Sequence, residues 1–453
     1  MQEETAARIR AWFNEHDITE VECLVPDITG EAKGKIMPAA RYLRGERPRL
    51  PESIFAQTVT GAYPEDEEKV IDLTELDMQM TPDPDTCSLV PWAREPTAQI
   101  IHDCHYLDDS PVLVSPRHVL KRVLELYDER GLRPVIAPEM EFYLVQRNTD
   151  ADYPLQPPAG RSGRQEVSRR AYSIDAVNEF DPLLEDMYDA CEAQGLDIDT
   201  LIHEEGSGQM EINFNHGDPL QLADHVFYFK RLLREVALAH GMYATFMAKP
   251  MAEEPGSSMH IHQSLLDSDT GDNVFADENN EPTARFYQFV AGLQQYIPRS
   301  LALLAPNVNS YRRLLPDPSN TSAPFNVEWG YDNRTVGLRV PRSGRSGMRV
   351  ENRIAGADAN PYLAIAVTLA CGYLGMQEGL EPRAPVSVSA YDQGHCLPSD
   401  LGRALDELAA SAALKELLGE HFIEAYIAIK RTEELAYFRV VSSWEREYLL
   451  LRV

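Results

Sequence analysis

The sequence predicts a fold of mixed helices and strands, with a small N-terminal domain and a larger one behind it. Three observations predict it. Strand-like and helix-like patterns interleave along the larger part without a βαβ rhythm and without the GxGxxG turn of a dinucleotide-binding fold. The first 112 residues mix short β-rich stretches with many turn residues, and the sequence DDSPVLVSP then opens a helix. The full 453 residues are enough for a substantial core and more than one domain, which we place at 1–112 and 113–453.

Taken in order, the start MQEETAARIR is acidic and helix-like and lacks the apolar centre of a signal peptide. Stretches 21–28, 34–37 and 88–91 read as strands. Ser115 is placed to cap a helix with Pro116 at its first position, and Leu120, Val123, Leu124 and Tyr127 follow at helical spacing until Gly131. Further strands are expected at 134–145, 209–215, 257–265, 335–341 and 348–354. Helices are expected at 182–194, 220–240, 284–304, 360–379 and 420–433. The stretches 153–170 and 267–282 read as mobile loops.

Composition narrows the class of function. There are 42 basic and 72 acidic residues, a formal net charge of −30, which argues against nucleic acid or an anionic membrane surface as partner. Cationic ligands would be attracted, although such a surface also serves solubility. No apolar run approaches the roughly 18 residues of a membrane span. A soluble, cytoplasmic protein is the expectation. The six cysteines lie far apart with no CxxC pair, so neither a zinc site nor a disulfide framework is indicated.

Four elements carry chemistry. In PVIAPEMEFYLV, alternation sends Met140, Phe142 and Leu144 to one face and Glu139, Glu141 and Tyr143 to the other. Two carboxylates side by side are unfavourable unless a cation or a shared proton relieves them, or unless that face is simply solvated. HEEGSGQMEINF sets Glu204 before a Gly-Ser-Gly turn and Glu211 on the strand leaving it. GSSMHIHQS projects His260, His262 and Ser264 from one strand face, and MRVENR does the same for Arg349, Glu351 and Arg353. Arg339 and Arg313 lie just upstream, in GLRVP and NSYRRLLP. Carboxylates with imidazole suit hard cations such as Mg2+ or Mn2+, and clustered arginines suit carboxylate and phosphoryl oxygens. Phosphoryl transfer from a nucleotide onto an acid is the natural reaction class.

In this order, PEMEF, HEEGSGQME, GSSMHIHQS, NSYRRLLP, NRTVGLRVP, RVENR and ANPY resemble the motifs of the class I glutamine synthetase family and its γ-glutamyl-amine ligase branch. The resemblance covers nearly the whole chain. It implies an α+β fold, with a β-grasp N-terminal domain and a catalytic domain whose curved antiparallel sheet has helices outside it. It implies ATP and two divalent-metal positions, Mg2+ or Mn2+, with Glu141, Glu204 and Glu211 at one and Glu139, His260 and Glu351 at the other. His262, Ser264, Arg339 and Arg349 fall on nucleotide or phosphate positions. Arg313 and Arg353 fall on positions for glutamate and its phosphorylated intermediate, with Gly256 also lining the amino-acid site, so Arg313, Arg339 and Arg353 are the implied catalytic arginines. A homo-oligomer of two stacked hexameric rings is also implied, a neighbour's N-terminal domain completing each site.

Departures from the family pattern bear on the acceptor. Ammonia-using members carry an acid close before an Ala-Pro pair, and aligning on Ala323 and Pro324 puts Ser322 at or next to that place. Their N-terminal ammonium-site acid is replaced here by the stretch FAQTVTG, with Ala56 or Gln57 near the position. Pro255 stands where an Asn contacts glutamate. Loss of two negative groups weakens ammonium binding and leaves room for a longer amine, so the expected product is the γ-glutamyl amide of a polyamine such as putrescine. An ordinary glutamine synthetase, a ligase for another monoamine or aralkylamine, and an inactive structural relative are the alternatives.

Overall fold

Alternation decides the longest strand. In Leu132–Gln146, Met140, Phe142 and Leu144 are fully buried in the core, whereas Glu139 and Glu141 on the other face line a cavity. The computed structural model describes residues 3–453 apart from 66–67, 69, 72–73, 75, 317–322 and 395–396. Around Leu132–Gln146 forms an eight-stranded sheet in the order Trp329–Tyr331, Leu338–Val340, Val350–Asn352, Met259–Asp267, Leu132–Gln146, Gln209–Phe214 and Ile198–His203, with Met242–Thr245 also pairing with the long strand. All of its pairings are antiparallel except that of Trp329–Tyr331 with Leu338–Val340. A separate six-stranded sheet is built from strands between Glu20 and His105.

Helices cover the outer face of the larger sheet. Pro116–Asp128 starts after Ser115, which does not cap it through its side chain; Pro116 in the first turn, where an amide hydrogen has no helical partner, marks the start instead. Asp218 caps Pro219–Ala239 and Thr283 caps Ala284–Leu304, each accepting from backbone amides of the first turn. Pro361–Glu378 is buried on nearly every side and packs on Ala284–Leu304. Gly292 permits that approach, because a Cβ there would sit 2.1 Å from the Cys371 carbonyl oxygen. Among the described residues no helix is long and apolar enough to cross a membrane.

Two polar links tie the N-terminal strands to the helices. Asn360 caps the buried helix and its Nδ2 donates 2.9 Å to the Asp27 carbonyl. Arg117, 1% exposed, donates to Asp83, Asp103 and Asp224 at 2.7–3.0 Å. A guanidinium so buried is tolerable only with this degree of pairing. Both expected loops, 153–170 and 267–282, contain only isolated bridges. Three short strands (Ile198–His203, Met242–Thr245 and Trp329–Tyr331) and the helices Leu401–Ala410, Ala412–Leu418 and Ser443–Leu449 were not anticipated by pattern.

Candidate active site

Strand register assembles the site. Glu141 lies opposite Glu211, Glu139 opposite His260, His262 opposite Glu351, and Glu351 opposite Arg339. Because side chains alternate, these pairs share the concave face while their apolar neighbours enter the core. Residues up to 121 positions apart in sequence thus become cross-strand partners, across five adjacent strands.

The Glu139 carboxylate accepts from His260 Nδ1 at 3.1 Å and from His262 Nε2 at 2.9 Å. Glu351 accepts from Arg339 at 2.7 Å and Arg353 at 2.6 Å, and Arg349 Nε donates 3.1 Å to His262 Nδ1. Glu141 is held differently, by the amide and hydroxyl of Ser258 at 2.8 and 2.5 Å and by Gln209 Nε2 at 3.2 Å. Arg313, 2% exposed, donates through Nη2 to the carbonyls of Ile354 (2.6 Å) and Ala355 (2.9 Å), so this nitrogen grips backbone. Gly256 must be glycine beside it: a Cβ would lie 2.5 Å from Arg313 Cγ.

The carboxyls divide electrostatically. Burial raises Glu139, but its hydrogen bonds from His260 and His262 outweigh burial and hold it far below the ordinary carboxylate range. Burial likewise raises Glu351, yet Arg353 and the two imidazoles bring it down to about 2. Burial and the neighbouring Glu141 lift Glu204 to about 8, against weaker opposition from Arg334 and Arg353. Burial also pushes Glu211 well above its usual value, reinforced by Glu139 and Glu141.

A cavity of about 280 Å3 contains Glu139, Glu141, Glu204, Glu211, His260, Gly256, Arg313, Arg339 and Arg353. An adjoining one of about 370 Å3 contains His262, Ser264 and Arg349, with Glu139 on the wall between them. Two groups offer ligand atoms within 4.8 Å of one another, Glu139 with His262 and Glu351, and Glu139 with Glu211 and His260. Buried carboxylate oxygens with imidazole nitrogen, two of the carboxyls driven toward protonation by burial and by neighbouring carboxylates, fit a hard divalent cation. Glu139 therefore sits between both groups, and Glu141 and Glu204 belong to neither.

Of the two expected acceptor-site positions, one is described. Ser322 is outside the described residues. Ala56 is fully buried in the N-terminal region and does not line the cavity of its own chain. Several participants escaped sequence reasoning. Gln209 and Ser258 orient Glu141, Tyr143 donates 2.8 Å to the Pro255 carbonyl, and Arg334 and Tyr172 line the cavity. Gln209 and Ser258 lie inside the recognised motifs, and a polar residue on a buried strand end was the available signal. Tyr172, held at φ +62°, had none.

Residues 113–449 match the glutamine synthetase catalytic domain. The chain belongs to the glutamine synthetase family. It is 37% identical to the gamma-glutamylputrescine synthetase PuuA of Escherichia coli strain K12, over 95% of this chain and 91% of that protein. It is 33% identical to a glutamate–isopropylamine ligase of a Pseudomonas species, over 97% and 96%. A glutamine synthetase of Pyrococcus abyssi is 32% identical over 93% and 92%. Among solved structures, a GmaS/ADP complex superposes with a TM-score of 0.83 at 27% identity, covering 97% of this chain and 98% of that one. The mixed helix-and-sheet architecture expected from the motifs is thus that of the family.

Proposed function

We propose that this family member is an ATP-dependent ligase that activates the γ-carboxylate of glutamate as γ-glutamyl phosphate and joins it to an amine, with a polyamine such as putrescine as acceptor. The observation that carries the reading is a pair of buried guanidinium donors on the cavity wall. Among the described residues Arg339 Nε and Arg353 Nε have no hydrogen-bond partner. Native proteins rarely leave buried donors unpaired, and planar donors beside a carboxylate cluster suit the carboxylate and phosphoryl oxygens of an acyl phosphate.

On this reading Glu141, Glu204 and Glu211 hold one divalent cation and Glu139, His260 and Glu351 the other. Bound there, Mg2+ or Mn2+ would neutralise the nucleotide phosphates and the transferring group. His262, Ser264 and Arg349 bind the nucleotide from the adjoining cavity, a role supported by the similarity to a structure named for its ADP complex. Arg313 and Gly256 shape the glutamate end, and Arg339 and Arg353 meet the developing negative charge.

The acceptor is argued from the remaining wall. Tyr172, Ile202, Pro255, Ala323 and Pro324 present carbon surface in the same cavity as the acids. Ammonium has no carbon with which to use it, whereas each buried methylene of a longer amine contributes about 0.8 kcal/mol. Two of the relatives above are named for amine acceptors, which supports the same reading. Ordinary glutamine synthesis is the second reading, favoured by Glu204 and Glu205 on the same wall and by the glutamine synthetase among the relatives. Phosphate release from ATP with glutamate, Mg2+ and a panel of putrescine, longer polyamines, monoamines and ammonia separates them. Turnover with polyamines well above that with ammonia is expected; robust glutamine formation with no turnover of any amine would overturn the assignment.

A further inference from the structure

Glu204 is the one carboxylate of the cluster carried on a turn, and its side chain has little to hold it. Glu139, Glu141 and Glu351 each accept two or more hydrogen bonds from neighbouring side chains or amides, and Glu211 lies within a strand paired on both sides. Among the described residues the Glu204 carboxylate meets only the Glu205 amide, at 3.3 Å. Its direction therefore depends on the backbone of the turn 203–208.

That backbone is clamped from outside the catalytic strands. Glu166, from the loop expected to be mobile, has a side chain only 8% exposed. Its Oε2 lies 3.0 Å from His203 Nε2 and accepts from the Gly208 amide at 2.9 Å, the two ends of the turn. His203 is fully buried, and its Nδ1 donates 2.6 Å to the carbonyl of Glu204 itself. With a carbonyl on one side and a carboxylate on the other, the ring passes the position of Glu166 directly to the Glu204 backbone. The loop is anchored twice more: Arg169 pairs with Glu205 at 2.7 Å, and the Tyr172 amide donates 2.8 Å to the His203 carbonyl.

We propose that Glu166 is a positioning residue for Glu204, acting through His203 and Gly208 to aim that carboxylate at the metal position. The inference rests on Glu204 being a metal ligand, so the experiment includes a variant that tests that reading by itself. Mn2+ alone is titrated calorimetrically into the full-length protein and into Glu166→Ala, Glu166→Gln and Glu204→Ala, with circular dichroism and melting to verify the fold. Outer partners of metal ligands typically set affinity by about 10- to 100-fold. Glu166→Ala should lose roughly that factor in Mn2+ affinity at one class of site. Glu166→Gln, which keeps an acceptor for the Gly208 amide but no charge facing His203, should lose less and serves if the alanine variant does not fold. In steady-state assays the two Glu166 variants should regain most of their kcat at high Mn2+ with an unchanged KM for glutamate. A merely structural role would lower activity equally at every metal concentration. Weakened binding in Glu204→Ala with near-parental affinity in both Glu166 variants overturns the inference alone. Unchanged binding in Glu204→Ala overturns the ligand reading and the inference with it.

Discussion

Glu139 and Glu351 lie against imidazoles and guanidinium groups, whereas Glu204 and Glu211 lie chiefly against other carboxylates. The protein itself supplies the counter-charge in the first region, so both groups are held as carboxylates below their ordinary range. In the second region burial and like charge favour the neutral acid until a cation arrives. One half of the site thus carries its own counter-charges before anything binds, and the other depends for them on what binds there.

The comparison is tested most severely by removing one member of each half. Glu351→Ala and Glu211→Gln should both abolish turnover. Their stabilities should diverge. Losing Glu351 leaves Arg353 and Arg339 without their partner in a buried setting, at a cost of about 3–5 kcal/mol. Glu211→Gln removes a group that its neighbours repel and should hold or raise the apparent melting temperature of the metal-free protein. Equal destabilisation of the two variants would break the distinction.

A smaller effect comes from pH. Folded Glu204 keeps its proton up to about 8, while an unfolded glutamate loses it near its ordinary value, about 4.3. Between those values the folded state binds more protons, so the stability of the metal-free protein should fall as pH rises. The slope for one such group is about 1.4 kcal/mol per pH unit, flattening above pH 8. Saturating Mn2+ should remove most of it, because metal takes the place of the proton. Melting curves from pH 5 to 9 with and without metal check this; a metal-free stability that rises across that range would contradict it.

Much of this was legible in the sequence, for physical reasons. The strands 134–145 and 209–215 were found because one face enters the core and the other carries acids, which imposes a period of two. The long helices were found because their apolar faces span several turns. Ile198–His203 escaped because neither face is uniformly buried, and the three-residue strands are too short to show a period. Glu139, Glu141, Glu211, His260, His262, Arg339 and Glu351 were named in advance because each stands on a strand, whereas Glu204 beside its turn and Arg313 on a short helix were named from their motifs. Glu166 was invisible: it pairs with His203 from 37 positions away, in a stretch whose Pro, Gly, Arg and Ser content reads only as loop. The pairing of Arg339 with Glu351 was likewise a matter of register, which spacing alone does not provide.

The central claim is that glutamate is activated through its γ-carboxylate before the amine attacks. Glutamate labelled with 18O in that carboxylate, supplied with ATP, Mg2+ and putrescine, tests it directly by mass spectrometry of both products. One labelled oxygen should leave with each inorganic phosphate formed, and the γ-glutamyl amide of putrescine should accumulate in equal amount. Phosphate released without label, or amide formed without phosphate, would contradict the account.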